Sequence, residues 1–204
     1  MKSLLAVAAF ATCSFGFGMA AHAQAIVGQA APAFSTQDTD GKTRSLAEFK
    51  GKYVVLEWVN PGCPYVQKHY NAANMQATQK EAVGKGAVWL TVNSTAADAG
   101  DYKAPAELAA WMKQQNAAAT ATLMDADGKV GRAYNARTTP HMYVIDPAGK
   151  LIYAGAIDSK ATARADDIKT ATNYVRQALG EALGGKPVSV AVTQAYGCSV
   201  KYAS

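Results

Sequence analysis

One short segment of the chain carries residues suited to thiol chemistry. Cys63 is followed by Pro64, and because proline favours the first position of a helix, Cys63 is the expected N-cap. A thiol at a helix N-terminus faces unpaired N–H groups and the positive end of the helix dipole, and both favour the reactive thiolate. The alternative is a buried and inert cysteine, which is common for this residue type. The Cys–Pro junction favours a reactive thiol.

A carboxyl group precedes this thiol by six positions. Glu57 interrupts the segment Tyr-Val-Val-Leu-Glu-Trp-Val at positions 53–59, and such a near-continuous apolar run is typical of a strand buried on both faces. Burial disfavours the charged form, so the pKa of Glu57 is expected to rise toward neutrality, where a carboxyl group exchanges protons readily. In the alternative arrangement the strand lies at a sheet edge and Glu57 points into solvent.

The elements around these residues predict an α/β fold. Their order is strand, helix, strand, helix, then a strand hairpin and a closing helix, which implies a mixed sheet between layers of helices. Chemistry in such folds collects at the carboxyl ends of strands, here the loop 60–63 and the segment before Met142. The expected strands are 53–59, 87–92, 142–146 and 151–154, and the expected helices are 64–83, 106–116 and 166–183.

These motifs resemble a known superfamily. The segment Cys63-Pro64-Tyr65-Val66 is similar to the Cys-Pro-Tyr-Cys of glutaredoxins with the second cysteine replaced, and Thr139-Pro140 resembles a cis-proline loop. Over roughly residues 27–183 the chain resembles the redoxin branch of thioredoxin-fold proteins, especially a peroxiredoxin-like bacterial group with a late Gly-Cys-Ser-x-Lys. The resemblance implies a three-layer sandwich with a mixed sheet and flanking helices.

The resemblance also implies roles for individual residues. Cys63 is the expected attacking thiol and Glu57 the expected proton shuttle. The expected substrate-binding residues are Thr139, Pro140, Tyr65 and His141, although strand alternation would turn the His141 side chain away from Pro140. The expected partners are a protein disulfide or a peroxide and an unidentified thiol reductant. No cofactor and no metal site is predicted.

The chain departs from the family pattern at the resolving position. Val66 cannot resolve a mixed disulfide, which leaves Cys198 as the candidate resolving thiol. A cycling Cys63–Cys198 bridge is expected to free the C-terminal tail when it is reduced. A permanent structural disulfide is one alternative, and two sulfurs far apart are another. The peroxiredoxin pattern is absent, because Asn60 stands in place of its Thr or Ser.

The first residues predict export. A positive start, an apolar stretch and Ala21-His22-Ala23 form a signal peptide with cleavage near Ala23, and the mature protein then works in the periplasm or is secreted, where thiols oxidise. The predicted organisation is a signal peptide at 1–23, a redoxin domain at 24–186 and a tail at 187–204 that carries Cys198.

Composition narrows the function classes. The 204 residues carry a net charge of +5 without a run of Lys or Arg, which argues against a nucleic-acid partner. After residue 25 no apolar run approaches the roughly 18 residues of a spanning helix, so the mature protein is expected to lack a membrane span. The predicted function is an exported thiol–disulfide oxidoreductase. The alternatives are a thiol peroxidase and a redox-inert or copper-binding periplasmic domain.

Overall fold

A computed structural model describes residues 24–203. The predicted signal peptide lies outside the described residues. In the part of the chain that is described, no helix is both long enough and apolar enough to cross a membrane.

A five-stranded mixed sheet forms the centre of the fold, with two small two-stranded sheets beside it. The strands are β1 (Ser35–Gln37), β2 (Thr43–Ser45), β3 (Val54–Trp58), β4 (Val88–Asn93), β5 (Ala121–Met124), β6 (Thr138–Thr139), β7 (His141–Ile145), β8 (Leu151–Gly155) and β9 (Cys198–Ser199). The central sheet has the order β5-β4-β3-β7-β8, while β1 pairs with β2 and β6 pairs with β9.

Five α-helices and two short 3-10 helices connect these strands. The α-helices are α1 (Pro64–Asn71), α2 (Asn74–Gly84), α3 (Pro105–Gln114), α4 (Lys129–Tyr134) and α5 (Tyr174–Leu183), and the 3-10 helices are Leu46–Phe49 and Ala165–Thr170. Because apolar side chains of α1, α2, α3 and α5 share one buried cluster and those of α4 belong to another, the helices cover both faces of the sheet.

The predicted helix 64–83 is wrong as one element, because it is broken into α1 and α2. Ala73 adopts a left-handed conformation with φ of 54° at the junction, which interrupts the helical backbone. The closing helix also begins later than predicted. Asn173 caps α5 by accepting a hydrogen bond of 3.0 Å from the Arg176 N–H. The sequence patterns did not predict β5 or α4.

Strand β3 occupies the middle of the sheet and positions the site. It pairs in parallel with β4 and antiparallel with β7, and all five of its residues are buried. Successive side chains point to opposite faces, so Glu57 shares its face with Val55 and Val59, which belong to the apolar cluster that contains Cys63. Trp58 faces the other cluster and is fully buried. Each such large apolar side chain stabilises the fold by about 1.5–3 kcal/mol.

The C-terminal tail packs along the sheet edge and then crosses to the loop before β7. Thr193 donates its backbone N–H to the carbonyl of Ala154 in β8, and Cys198 and Ser199 form β9 against β6. Cys63 and Cys198 are both free thiols in this structure. The expectation that a reduced protein has a free tail is therefore wrong, because backbone pairing and side-chain contacts hold the tail without a disulfide.

Candidate active site

Cys63 lies where the sequence places it, at the N-terminus of α1. It is the N-cap residue, with φ of −81° and Pro64 at the first helical position. The side chain is only 2% exposed, and its thiol donates a hydrogen bond of 3.0 Å to the carbonyl oxygen of Thr139. Cys63 is therefore covered by neighbouring backbone rather than open to solvent.

The surroundings of Cys63 favour its thiolate. Burial acts to raise the pKa of the Cys63 thiol, but hydrogen bonds with the Cys198 and Thr139 side chains and with the Val66 N–H outweigh it, so the pKa lies below its usual value. The groups that lower this pKa are hydrogen-bond donors rather than cations. Groups from the tail, from the loop before β7 and from the helix N-terminus thus stabilise the anion together.

Cys198 reaches this thiol from the other end of the chain. It lies opposite Thr139 in the antiparallel ladder of β6 and β9, and its side chain is partly exposed. Burial, a hydrogen bond to Cys63 and the negative charge of Cys63 raise the pKa of the Cys198 thiol to about 12. The contact between the two thiols thus lowers the pKa of Cys63 and raises that of Cys198. The alternative of two distant sulfurs is wrong.

The loop before β7 has the backbone form expected from the sequence. The Thr139–Pro140 peptide bond is cis. Both residues are buried, and the Thr139 carbonyl accepts the hydrogen bond from Cys63 while the same residue pairs with Cys198. The backbone edge that the sequence assigns to substrate binding is therefore occupied by the protein's own tail.

Glu57 is buried beneath the same face of the sheet, in agreement with the prediction. It is fully buried, and burial raises its pKa to about 7 even though hydrogen bonds act in the opposite direction. Four side chains donate to its carboxyl oxygens at 2.8–3.4 Å, namely those of Tyr70, Gln79, Trp89 and Thr91. Because these donors surround both oxygens, proton transfer between Glu57 and Cys63 requires one of these hydrogen bonds to exchange.

Of the two aromatic residues predicted to bind substrate, Tyr65 lies beside the tail segment near Cys198, whereas His141 lies away from both thiols. The Tyr65 ring lies 5.8 Å from the Tyr196 ring, beside the strand that carries Cys198. His141 instead packs its ring 4.6 Å from that of Tyr143 and accepts a hydrogen bond of 3.3 Å from the Arg137 N–H. The structure does not bring the His141 side chain to the thiols, because strand alternation turns it and Tyr143 to the opposite face of the sheet. Burial lowers the pKa of His141 to about 4, so it is neutral at physiological pH.

Comparison with known proteins places the chain in a family. Residues 27–154, more than half of the chain, match the sequence profile of the AhpC/TSA family. The chain belongs to the AhpC/TSA family. The matched segment of this AhpC/TSA protein includes Cys63, Glu57 and the Thr139–Pro140 loop, whereas Cys198 lies beyond it.

One curated relative is a thiol–disulfide oxidoreductase. The chain is 27% identical over 132 residues to "Thiol-disulfide oxidoreductase ResA" of Bacillus subtilis (strain 168). The similarity covers 61% of this chain and 64% of the relative, so the chain spans less than two thirds of the relative's length.

Solved structures show that this AhpC/TSA protein has a thioredoxin-like fold. A hypothetical protein from Sinorhizobium meliloti 1021 superposes with a TM-score of 0.74 at 24% identity, covering 88% of this chain and 96% of that one. An uncharacterised conserved protein from Geobacillus kaustophilus gives 0.72 at 24% identity, covering 87% and 93%. The thioredoxin domain of a thiol–disulfide oxidoreductase from Bacteroides vulgatus gives 0.51 at 24% identity, covering 71% and 96%. These similarities support the predicted sandwich.

A buried polar cluster that the sequence analysis missed anchors the tail beside Cys198. The Tyr196 hydroxyl donates to the carboxylate of Asp158 and lies 3.2 Å from Nε2 of His69. Lys68 places its Nζ 3.6 Å from the same carboxylate and donates at 2.9 Å to the carbonyl of Lys160. The adjacent Lys68 and His69 in α1 were the one sequence signal for this cluster. Their partners Asp158 and Tyr196 lie far away in the sequence, so no local pattern connects them.

A second polar contact holds the tail on the other side of Cys198. Lys201 pairs with Asp101 at 2.5 Å, and Asn60 donates to the same Asp101 carboxylate at 2.8 Å. Asn60 also accepts the Gly62 N–H at 2.7 Å and thereby shapes the loop that leads to Cys63. Asn60 thus links the thiol loop to the tail. Among residues 24–203, no group of three or more His, Cys, Asp or Glu side chains is arranged to hold a metal ion.

Proposed function

We propose that the protein is an exported thiol–disulfide oxidoreductase whose redox pair is Cys63 and Cys198. The observation that carries the proposal is the contact of these two free thiols across the Thr139 backbone. Two thiols already in contact can form a disulfide with little movement of the fold. The similarity of 132 residues of this chain to a thiol–disulfide oxidoreductase supports the same conclusion.

The proposed cycle uses the two sulfurs in sequence. A substrate disulfide exchanges with one sulfur of the pair, and the other sulfur then attacks the mixed disulfide. This closes the Cys63–Cys198 bond and releases the second substrate thiolate, so two electrons have passed from the dithiol to the substrate. A thiol reductant returns the protein to its dithiol form. Cys63 attacks as a thiolate in either order, on the substrate or on Cys198.

Glu57 serves this cycle as a proton reservoir. Its pKa of about 7 allows it to hold or release a proton under physiological conditions. The polar groups that surround it are the hydroxyls of Tyr70 and Thr91 together with two N–H donors, and the hydroxyls offer a path for a proton to leave the carboxyl group. Thr139 and Pro140 present the backbone edge on which strand β9 of the tail lies, and Tyr65 lies at the side of this strand.

Export completes the proposal. A signal peptide at 1–23 delivers a redoxin domain at 24–186 and a tail at 187–204 to the periplasm or the exterior. An oxidising compartment allows the thiol pair to cycle, whereas cytosolic reductants keep most thiols reduced.

A redox titration tests the proposal. The purified protein is equilibrated at graded ratios of reduced to oxidised dithiothreitol, alkylated and weighed by mass spectrometry. We expect one two-electron transition that Cys63→Ser and Cys198→Ser each abolish, together with insulin-disulfide reduction that follows the same pattern. Ser199→Ala, which alters the exposed neighbour in β9, keeps both properties. Two alkylatable thiols at every ratio would show that the pair does not form a bridge.

A thiol peroxidase is the second candidate, favoured by the lowered pKa of Cys63 in an AhpC/TSA protein. Peroxide would oxidise the Cys63 thiolate to a sulfenic acid and release hydroxide, and Cys198 would then form the disulfide with loss of water. A steady-state rate with hydrogen peroxide that exceeds the rate with insulin would favour this activity. Unreactive thiols, or stoichiometric copper binding, would instead favour an inert or copper-binding domain.

A further inference from the structure

We infer that external thiols and disulfides exchange with this redox pair at Cys198, and that Cys63 reacts only within the molecule. The inference rests on the proposed function and assigns the order of its steps. It reverses the expectation that the helix N-cap thiol, which opens the active-site motif, is the one that meets the substrate.

Access to the two sulfurs is the first reason. Cys63 is 2% exposed, whereas Cys198 is partly exposed and is followed by the exposed Ser199. Strand β9 and the Thr139–Pro140 backbone lie over the Cys63 side chain. An incoming thiolate must approach a disulfide sulfur directly, and within this arrangement it reaches Cys198 first.

Strand β9, which covers Cys63, is held in place by contacts on both sides of Cys198. Two polar anchors lie on either side of Cys198, one from Tyr196 to Asp158 and the other from Lys201 to Asp101. Between them, Gly197 has φ of 135° and brings its backbone so close to the Thr139 carbonyl that a Cβ atom at this position would overlap it. The tail therefore makes a close backbone contact with the loop before β7.

The first anchor is costly to release. Asp158 is 2% exposed and lies 3.6 Å from the Lys68 ammonium and 3.8 Å from the His69 ring, both of which are also buried. Its Oδ2 accepts no hydrogen bond among the described residues. The Lys68 ammonium balances its charge, because burial lowers the pKa of His69 to about 4 and leaves that ring neutral. Detaching the tail leaves Lys68 and Asp158 in place but removes the Tyr196 hydroxyl that donates to this buried carboxylate, and a buried charged acceptor that loses its donor costs free energy. Opening of strand β9 is consequently an unfavourable way to expose Cys63.

The chemistry of the leaving group points in the same direction. An external thiolate that attacks Cys198 forms a new S–S bond there, and the Cys63–Cys198 bond breaks with its electron pair passing to Cys63. Cys63 leaves as a thiolate that is stabilised by the helix N-terminus and its hydrogen-bond donors, and better-stabilised thiolates leave faster. A second thiol of the external reductant then attacks the reductant's own sulfur in the mixed disulfide, and Cys198 leaves. The products are an oxidised reductant and two protein thiols. Reduction of a substrate disulfide follows the reverse course. The Cys198 thiol passes its proton to Cys63 and attacks the substrate as a thiolate, and the proton then moves to the first substrate thiolate released, which frees Cys63 to attack Cys198.

A trapping experiment tests this assignment on the wild-type protein. The oxidised protein is mixed briefly with glutathione and quenched in guanidinium chloride that contains excess N-ethylmaleimide. Peptide mapping then shows which cysteine carries glutathione and which carries maleimide. We expect glutathione on Cys198 and maleimide on Cys63, with about tenfold excess or more over the opposite arrangement.

The matched control is the same reaction on oxidised protein that has already been unfolded in guanidinium chloride. In the unfolded protein, Cys63 and Cys198 are expected to react with glutathione to a similar extent. Glutathione mainly on Cys63 in the folded protein, or divided equally, overturns this inference and leaves the proposed function intact. Two maleimide adducts without any glutathione treatment show that no disulfide was present, and that result overturns both.

Discussion

Cys198 lies directly opposite Thr139 in the antiparallel ladder of β6 and β9, and the carbonyl of that same Thr139 accepts the hydrogen bond from the Cys63 thiol. One backbone position thus orients both cysteines. The tail therefore supplies the second thiol of the site and at the same time covers the first. This arrangement replaces the missing cysteine at Val66 with one that is distant in sequence.

Glu57 should make stability depend on pH. Its pKa is about 7 in the folded protein against an ordinary value of 4.5, so the folded state binds the proton more tightly between these pH values. Its contribution to the free energy of unfolding is fully present below pH 4.5 and is lost as the pH rises through 7, by about 3 kcal/mol in total. Urea unfolding of wild type and Glu57→Gln at pH 5 and pH 8 measures the difference.

The Gln variant is expected to lose this pH dependence, whereas Glu107→Gln, at an exposed helix start, should keep it. An equal decline with pH in wild type and Glu57→Gln would show that another group titrates.

Removing Cys198 should raise the pKa of the Cys63 thiol. The Cys198 side chain is one of the hydrogen-bond partners that hold this pKa down, so Cys198→Ala loses the effect and Cys198→Ser retains part of it through its hydroxyl group. Ultraviolet absorbance of the thiolate followed against pH gives the values. A Cys63 pKa that is the same in wild type and Cys198→Ala would mean that the helix N-terminus alone stabilises the anion.

Gly197→Ala should detach strand β9. The added methyl group would overlap the Thr139 carbonyl at a residue with φ of 135°, a conformation that costs a side-chain-bearing residue about 1–3 kcal/mol. We expect faster alkylation of Cys63 by iodoacetamide. Gly185→Ala is the matched control, because Gly185 also has positive φ but its methyl group would meet open space. Equal alkylation rates in the two variants would argue that the tail does not cover Cys63.

Tyr196→Phe should loosen the end of the chain. The variant loses the hydroxyl contacts with Asp158 and His69, and the loss of a hydrogen bond to a buried charged group costs about 1.5–3 kcal/mol. Amide hydrogen exchange of residues 196–203 is expected to accelerate more than global unfolding does. Tyr53→Phe removes a hydroxyl bond of 3.0 Å to the Ala182 carbonyl outside the tail and should leave this exchange unchanged. Unaltered exchange in Tyr196→Phe would remove Tyr196 as an anchor.

Local signals in the sequence were sufficient for one part of the site. Pro64 after Cys63 predicted the helix cap, and the apolar run around Glu57 predicted a central strand with a buried acid; both agree with the structure. The resemblance of the motifs predicted the sandwich and the isomer of the Thr139–Pro140 bond. These features depend on a few neighbouring residues and on hydrophobic periodicity, which a linear pattern carries.

Other parts were decided by tertiary structure alone. The break between α1 and α2 depends on the left-handed Ala73, whose residue type gives no warning of it. Strand alternation turns His141 away from the thiols, but the face of the sheet that His141 occupies is fixed only by the pairing of β7 with β3. The contact of Cys63 with Cys198, and the partial exposure of only the latter, arise from the pairing of two-residue strands far apart in the chain. Such short ladders carry almost no periodic signal, because their stability comes from the buried anchors around them rather than from their own sequence.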